Sequence, residues 1–331
     1  MDFLKAESRG LIIAFLATLL LGIAIAIKLS NEGFLGFPLF GGVSSLALFG
    51  FIYFVAMLTQ AQKFIGDITQ KKPAIIFVLP TVLSLIYLWY SFSTEAIQWD
   101  YVLRIIGYTF LPTIAIFTVN QETQRLTWQD FLFLIIIWIP VDEAWVQESF
   151  PWPAGIGKHA YTIPVGVTLA ILLSGGFRRL KGLDFHWNVG AKSWGISVLH
   201  LLAFLAFAIP VGLATDFLAY NPRDGGISGW VVSIIATAIL VAVPEEVLFR
   251  GIIQNLLQKT FQKPWIGWVL ASVIFGVSHI NNTPSPDWRY IFLASIAGLF
   301  YGLSYNKSGS LIPAVMVHTG VDVVWINLFY K

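Results

Sequence analysis

Residues 229–257 read GWVVSIIATAILVAVPEEVLFRGIIQNLL, a stretch in which only Glu245, Glu246 and Arg250 carry charge. At a rise of about 1.5 Å per residue, about 20 apolar residues cross a hydrocarbon core of about 30 Å, so this run reads as a membrane helix. The rest of the chain agrees. Of 331 residues, 57% are hydrophobic, 15% aromatic and 11% charged, against about 25% charged in a soluble domain. So few charges cannot cover a water-facing surface, and most of the exterior must face a lipid bilayer. The absence of cysteine excludes a disulfide scaffold, Cys-ligated zinc or iron–sulfur sites and a thiol nucleophile. A net charge of +2, scattered between apolar runs, excludes a nucleic-acid surface.

Outward from this run, eleven apolar segments predict an all-α, polytopic transmembrane helical bundle with about 10–11 membrane segments. They run from Leu11 to Leu29, Pro38 to Leu58, Ala74 to Phe92, Val102 to Val119, Trp128 to Pro140, Tyr161 to Gly175, Trp194 to Leu213, Gly229 to Leu257, Trp265 to Ile280, Tyr290 to Tyr305, and Leu311 to Phe329. The fifth and sixth are short for a full span. With the N-terminus inside, thirteen of the 20 Lys and Arg fall on the inner side and five outside, while Arg104 and Arg250 lie within segments. Positive charge gathers in cytoplasmic loops, so the N-terminus is expected in the cytoplasm; the expected location is a bacterial plasma membrane. Lys5, Arg9 and Ala24-Ile25-Ala26 resemble the flanks of a cleavable signal, but the apolar run between them is long for one and fits an uncleaved first helix.

Within hydrocarbon, each central ionisable group costs roughly 2.5–3.5 kcal/mol on the insertion scale and needs a reason to be there. The first half has almost none: Arg104 is close enough to a segment end to snorkel. His200 reads as bonded to a neighbouring helix, and His159 and His186 as loop residues without a role. The many Trp, including Trp128, Trp138, Trp152 and Trp187, mark membrane interfaces. The last third differs. Glu246 and Arg250, four apart, share a helical face and form a structural pair. Glu245 lies about 100° away around the helix. It has no partner nearby in sequence, and a poorly solvated, unpaired carboxyl suits a general acid or base. Pro244 is expected to start a new helical turn after a break.

Two more polar pairs follow. Phe275-Gly276-Val277-Ser278-His279 puts an aromatic ring and an imidazole on one helical face, and His318-Thr319-Gly320-Val321-Asp322 puts an imidazole and a carboxylate one turn apart. Counted from the inner segment ends, Glu245, His279 and Asp322 lie at roughly 17–21 Å and His318 at about 11 Å, depths that let them converge on one cavity. With no Ser–His motif and no thiol, such a site suits hydrolysis of an amide bond by activated water. Glu245 takes the proton of the water, helped by His279, while His318 and Asp322 orient the groups or stabilise the oxyanion and leaving group. Asp322 contributes either by holding His318 protonated or by donating while itself protonated. Zinc on Glu245, His279 and His318 is the alternative, three protein ligands and a water being the usual catalytic set, although no HExxH is present.

These residues resemble the three ordered motifs of the CAAX prenyl protease and bacteriocin-processing family, also called the Abi or type II CAAX protease family: Glu245-Glu246-x-x-x-Arg250, Phe275-x-x-x-His279 and His318-x-x-x-Asp322. The resemblance covers approximately Trp194 to Tyr330. It implies an intramembrane endopeptidase in which Glu245 is the catalytic glutamate, His279 its partner on the water, and His318 with Asp322 the polar oxyanion side. Glu246 with Arg250 is then a structural pair. Asn is common in the family at the last position, and an ionised Asp only accepts hydrogen bonds. Family members have been described both as metallopeptidases and as glutamate-dependent. The division expected is 1–190 as N-terminal membrane helices without an assigned role and 191–331 as the peptidase core. The implied partners are the lipid bilayer and a membrane-embedded peptide or lipidated protein C-terminus, prenylated CAAX or bacteriocin-like. Two other classes fit buried charges: a non-enzymatic immunity or scaffold protein, and a transporter. A transporter would show related halves with charges spread along a path, whereas here the charges gather in the last hundred or so residues.

Overall fold

The structure is a computed structural model that describes residues 2–121, 123–153, 158–185, 187, 190–282 and 286–329, and His186 lies outside them. Twelve helices and no strand occur among the described residues, as an all-α bundle requires. Two compact units emerge, one of Met1–Thr123 and Thr127–Leu180, the other of Gln124–Leu126 and Lys181–Lys331.

The first unit holds α1 (Asp2–Asn31), α2 (Gly36–Ala56), α3 (Thr59–Lys71), α4 (Pro73–Ser93), α5 (Trp99–Phe117), α6 (Trp128–Asp142) and α7 (His159–Phe177). Its core is aromatic. Tyr87, Tyr90, Phe150 and Tyr161 pack ring against ring, and the Tyr90 hydroxyl donates to the Trp152 carbonyl at 2.7 Å while accepting from the Trp152 amide at 2.8 Å. Asp130 and Arg178, each 1% exposed, form a buried ion pair. The other carboxylate oxygen of Asp130 accepts from the Thr127 amide and hydroxyl, capping α6. Arg104 meets Glu148 at 2.7 Å.

The second unit holds α8 (Ala191–Ala214), α9 (Gly226–Phe261), α10 (Pro264–Val277), α11 (Trp288–Ser308) and α12 (Leu311–Leu328). The deciding stretch of sequence lies in α9, whose 36 residues would run about 54 Å, longer than the hydrocarbon core. No break occurs at Pro244. The helix continues through it, and wide π-helical turns at Ala238–Ala242 and Val247–Gln254 flank the two glutamates. A π turn absorbs the backbone disturbance that a proline makes in a plain α-helix, so the chain need not stop. Small residues bring the helices together: a Cβ at Gly267 would collide with the Gln258 backbone, and one at Gly298 would come within 3.0 Å of Ser272 Cα.

Among the described residues, eight helices are long and apolar enough to cross a membrane: the Gly10–Asn31 part of α1, and α2, α4, α5, α7, α8, α9 and α12. The chain is an integral membrane protein. The eleven segments shrink to eight for local reasons. With 15 residues α6 is too short, as is α10 with 14, and α11 is diluted by Arg289, Asn306, Lys307 and its Ser, Gly and Tyr residues. The sixth segment, short in sequence, lengthens to 19 residues as α7. A helix absent from the segment reading, α3, turns Gln62, Gly66 and Thr69 inward at helical spacing.

Candidate active site

A cavity of about 160 Å³ opens within the second unit, lined by Glu245 of α9, Phe275 of α10, His279, Asn282, Tyr290 and Tyr301 of α11, His318 and Asp322 of α12 and an apolar wall that includes Phe204 and Trp325. A liquid water occupies about 30 Å³, so the space holds several waters or one large side chain. All four titratable residues expected to converge line it.

His318 is the hub. Its side chain is 3% exposed, and Nδ1 lies 2.8 Å from Glu246 Oε1. Nε2 faces two more carboxylates, Asp322 Oδ2 at 3.5 Å and Glu245 Oε2 at 3.8 Å. With a carboxylate at Nδ1, the imidazole donates there and turns its second nitrogen to the cavity. Glu246 also pairs with Arg250, whose Nη1 stands 3.2 Å from the same Oε1. That pair was expected from the spacing, but its bond to His318 was not: Glu246 is shared between the arginine and the imidazole. Arg250 Nη2 in turn donates to the Gly298 carbonyl at 3.2 Å, and its guanidinium stacks over Phe275 at 4.4 Å and Tyr301 at 5.1 Å. Every charge in this chain of contacts therefore has an opposite neighbour or an aromatic face, as burial in a membrane demands.

The face of α9 below the cluster is polar at every fourth residue. Gln254 Nε2 donates to the Gly302 carbonyl at 3.3 Å and to Asn306 Oδ1 at 3.0 Å, and Gln258 Nε2 donates to the same Asn306 oxygen at 3.2 Å. These bonds fix the rotation of α9 against α11, and with it the direction in which Glu245 and Glu246 leave the helix.

Glu245 lines the cavity from α9. Its carboxylate is 30% exposed, and Oε2 accepts no hydrogen bond among the described residues. His279 is placed differently from the expectation. α10 ends at Val277, so His279 sits in the turn beyond it rather than on the helical face. There its Nδ1 donates to the Phe275 carbonyl at 2.7 Å, and the two rings lie 4.7 Å apart. A neutral imidazole that donates from Nδ1 leaves Nε2 as an acceptor. His200 bonds Ser304 Oγ at 2.7 Å, linking α8 to α11 outside the site.

Among the described residues, no three His, Asp or Glu side chains are grouped so as to hold a metal ion. Nδ1 of His318 is held by Glu246 and Nδ1 of His279 by a backbone carbonyl. Those bonds occupy only Nδ1 of each ring, as the outer contact of a metal-ligating histidine would, and leave both Nε2 atoms available.

The model of the Rce1-like type II CAAX prenyl endopeptidase family matches residues 227–324, the stretch that contributes Glu245, Glu246, Arg250, His279, His318 and Asp322. The chain belongs to this family. Membership places the chain among intramembrane endopeptidases that act on membrane-embedded substrates. It is 27% identical over 214 residues to the "uncharacterized 24.3 kDa protein" of Escherichia coli, a match covering 60% of this chain and 94% of that one. It is 30% identical over 146 residues to the "uncharacterized protein YpbD" of Bacillus subtilis (strain 168), covering 40% of this chain and 71% of the relative. No solved structure matches the chain.

Tyr301, which stacks on His318 with centroids 4.6 Å apart and planes at 16°, and Asn282 and Tyr290 on the cavity wall carry no charge and so are not marked out among the ionisable groups of the sequence. A search confined to ionisable groups skips tyrosine and asparagine, although a phenol or amide in an apolar segment is the same kind of signal at a lower cost.

Proposed function

We propose that this protein hydrolyses a peptide bond in a membrane-associated substrate with water activated by Glu245, and that residues 191–331 form the peptidase core. The observation that carries the reading is the junction at His318, where one imidazole nitrogen is fixed by Glu246 and the other faces both Glu245 and Asp322 across the cavity. Water bound between Glu245 and His279 gives a proton to the Glu245 carboxylate as its oxygen attacks the scissile carbonyl carbon. His318, an imidazolium among the carboxylates of Glu246, Glu245 and Asp322, donates from Nδ1 to Glu246 and offers its Nε2–H to the oxygen that becomes negative. Asp322 supports that N–H as an acceptor. Collapse of the tetrahedral intermediate breaks the C–N bond, and the proton held by Glu245 passes to the departing nitrogen.

The substrate class is an apolar peptide or a lipidated C-terminus, prenylated CAAX or bacteriocin-like. Support comes from the family match and from the apolar wall beside the polar cluster. The site lies in the plasma membrane of a bacterium, with the N-terminus in the cytoplasm; the distribution of Lys and Arg and the bacterial relatives support this placement. The deciding experiment incubates purified full-length protein, in parallel with its Glu245→Gln variant, with labelled membrane peptides and reads cleavage by mass spectrometry. Cleavage by the parent alone upholds the reading; equal cleavage by both removes it.

A further inference from the structure

The ring of Tyr301 lies nearly parallel to the His318 imidazole, with centroids 4.6 Å apart and planes at 16°. It is 1% exposed. The same ring meets the Arg250 guanidinium at 5.1 Å and the edge of Phe275 at 5.8 Å. Phe275 closes the other side, 4.4 Å from Arg250 and nearly perpendicular to His318 at 5.7 Å. A flat ring held face to face leaves the imidazole little freedom to rotate about its Cβ–Cγ bond, and that rotation is what would carry Nδ1 off Glu246 and Nε2 off Asp322 and Glu245.

We infer that Tyr301 is a positioning residue for the peptidase reaction proposed above: its ring sets the plane of the His318 imidazole, so that one nitrogen meets Glu246 while the other faces Glu245 and Asp322. The inference rests on that reading for its effect on rate, but not for its effect on the histidine. Hydroxyl chemistry is not required, because the contact is made by the ring face. The placement also has an architectural source: Tyr301 lies one turn beyond Gly298, whose carbonyl accepts from Arg250, so the contact that fixes α11 against α9 also fixes the ring.

The test uses the full-length protein with ring-¹⁵N histidine and compares parent, Tyr301→Phe and Tyr301→Met, with His318→Gln serving to assign the His318 signals. Tyr301→Phe is expected to keep the His318 ring resonances and to keep kcat within about twofold, whereas Tyr301→Met, which fills the space without a π face, shifts those resonances and lowers kcat about tenfold at unchanged KM. Unshifted His318 resonances in Tyr301→Met overturn the inference, as does a loss in Tyr301→Phe equal to that in Tyr301→Met. If Tyr301→Met does not fold, Tyr301→Leu takes its place under the same criteria. Should the parent cleave nothing, the peptidase reading fails, and the His318 resonances alone decide whether Tyr301 positions the ring.

Discussion

Glu246 Oε1 is shared by two partners, lying 2.8 Å from His318 Nδ1 and 3.2 Å from Arg250 Nη1. One buried carboxylate therefore ties the guanidinium of its own helix to the imidazole of α12, and the two adjacent glutamates become separable by experiment. Glu245→Gln is expected to lower cleavage by roughly 10²–10⁴-fold, the usual worth of a general base, with the amount of folded protein unchanged. Glu246→Gln is expected to lower both cleavage and melting temperature, because breaking a buried pair costs about 3–5 kcal/mol. Cleavage assays paired with thermal melts of both variants check this; equal loss of folded protein in the two would leave only a clamp.

Asp322 acts on His318 as an acceptor at 3.5 Å. Replacing it by Asn removes the charge while keeping the shape, and kcat should fall about tenfold, the scale of one charge-assisted contact. Asp322→Leu should fall further. A rise in kcat for Asp322→Asn would instead assign this position to donation toward the oxyanion.

The proposed reaction uses only the side chains of Glu245, His279, His318 and Asp322, and on that proposal exhaustive treatment with a chelator should leave it intact. Elemental analysis of the treated protein, set beside its cleavage rate, is the check. Activity that vanishes with zinc and returns on its addition would require a ligand set not grouped among the described residues.

Gly267 of α10 lies against the Gln258 backbone of α9. Gly267→Val is expected to destabilise the protein by about 1–3 kcal/mol or more, since backbone cannot yield as a side-chain tip can. Gly190→Ala, with open space around the added carbon, is the neutral control. Comparable melting of the two variants would disprove the close approach.

Asp287 precedes α11 and accepts from the Arg289 amide and guanidinium at 2.7–3.2 Å. Those bonds hold its carboxyl below its ordinary value of 3.8. A depressed folded-state value gives stability that is fully present above the unfolded value and is lost as pH falls through the folded one. The melting difference between the parent and Asp287→Ala should therefore be constant from pH 6 down to about 4 and shrink below that. A difference that grows on acidification would contradict the sign.

Much of this architecture was legible because lipid makes polarity conspicuous. Glu245, His279, His318 and Asp322 stood out as ionisable groups in apolar runs, and they line one cavity. What escaped notice has physical reasons. Helix ends are set by backbone bonding, so the turn that carries His279 beyond Val277 looks apolar and helical in sequence. The spacing of Glu246 and Arg250 showed their pairing within one helix, but a bond to His318, 72 residues away, depends on how α9 and α12 pack. The carbonyl of Gly298 is invisible to any reading of side chains. In sequence α6 and α10 are as apolar as the longer helices, and only the backbone shows that they stop at 15 and 14 residues.

The wide turns of α9 have a consequence for how its sequence can vary. In a regular helix a four-residue step overshoots a full revolution by about 40°, so Glu246, Arg250, Gln254 and Gln258 would drift around the cylinder by about 120° over three steps. The broader winding of Val247–Gln254 takes up that drift and keeps the row in phase with α11. Deleting one residue from this span would leave composition and hydropathy almost untouched, yet swing Gln258 away from Asn306 or the glutamates away from His318. Length within these eight positions is thus as constrained as the chemistry of Arg250 and Gln254.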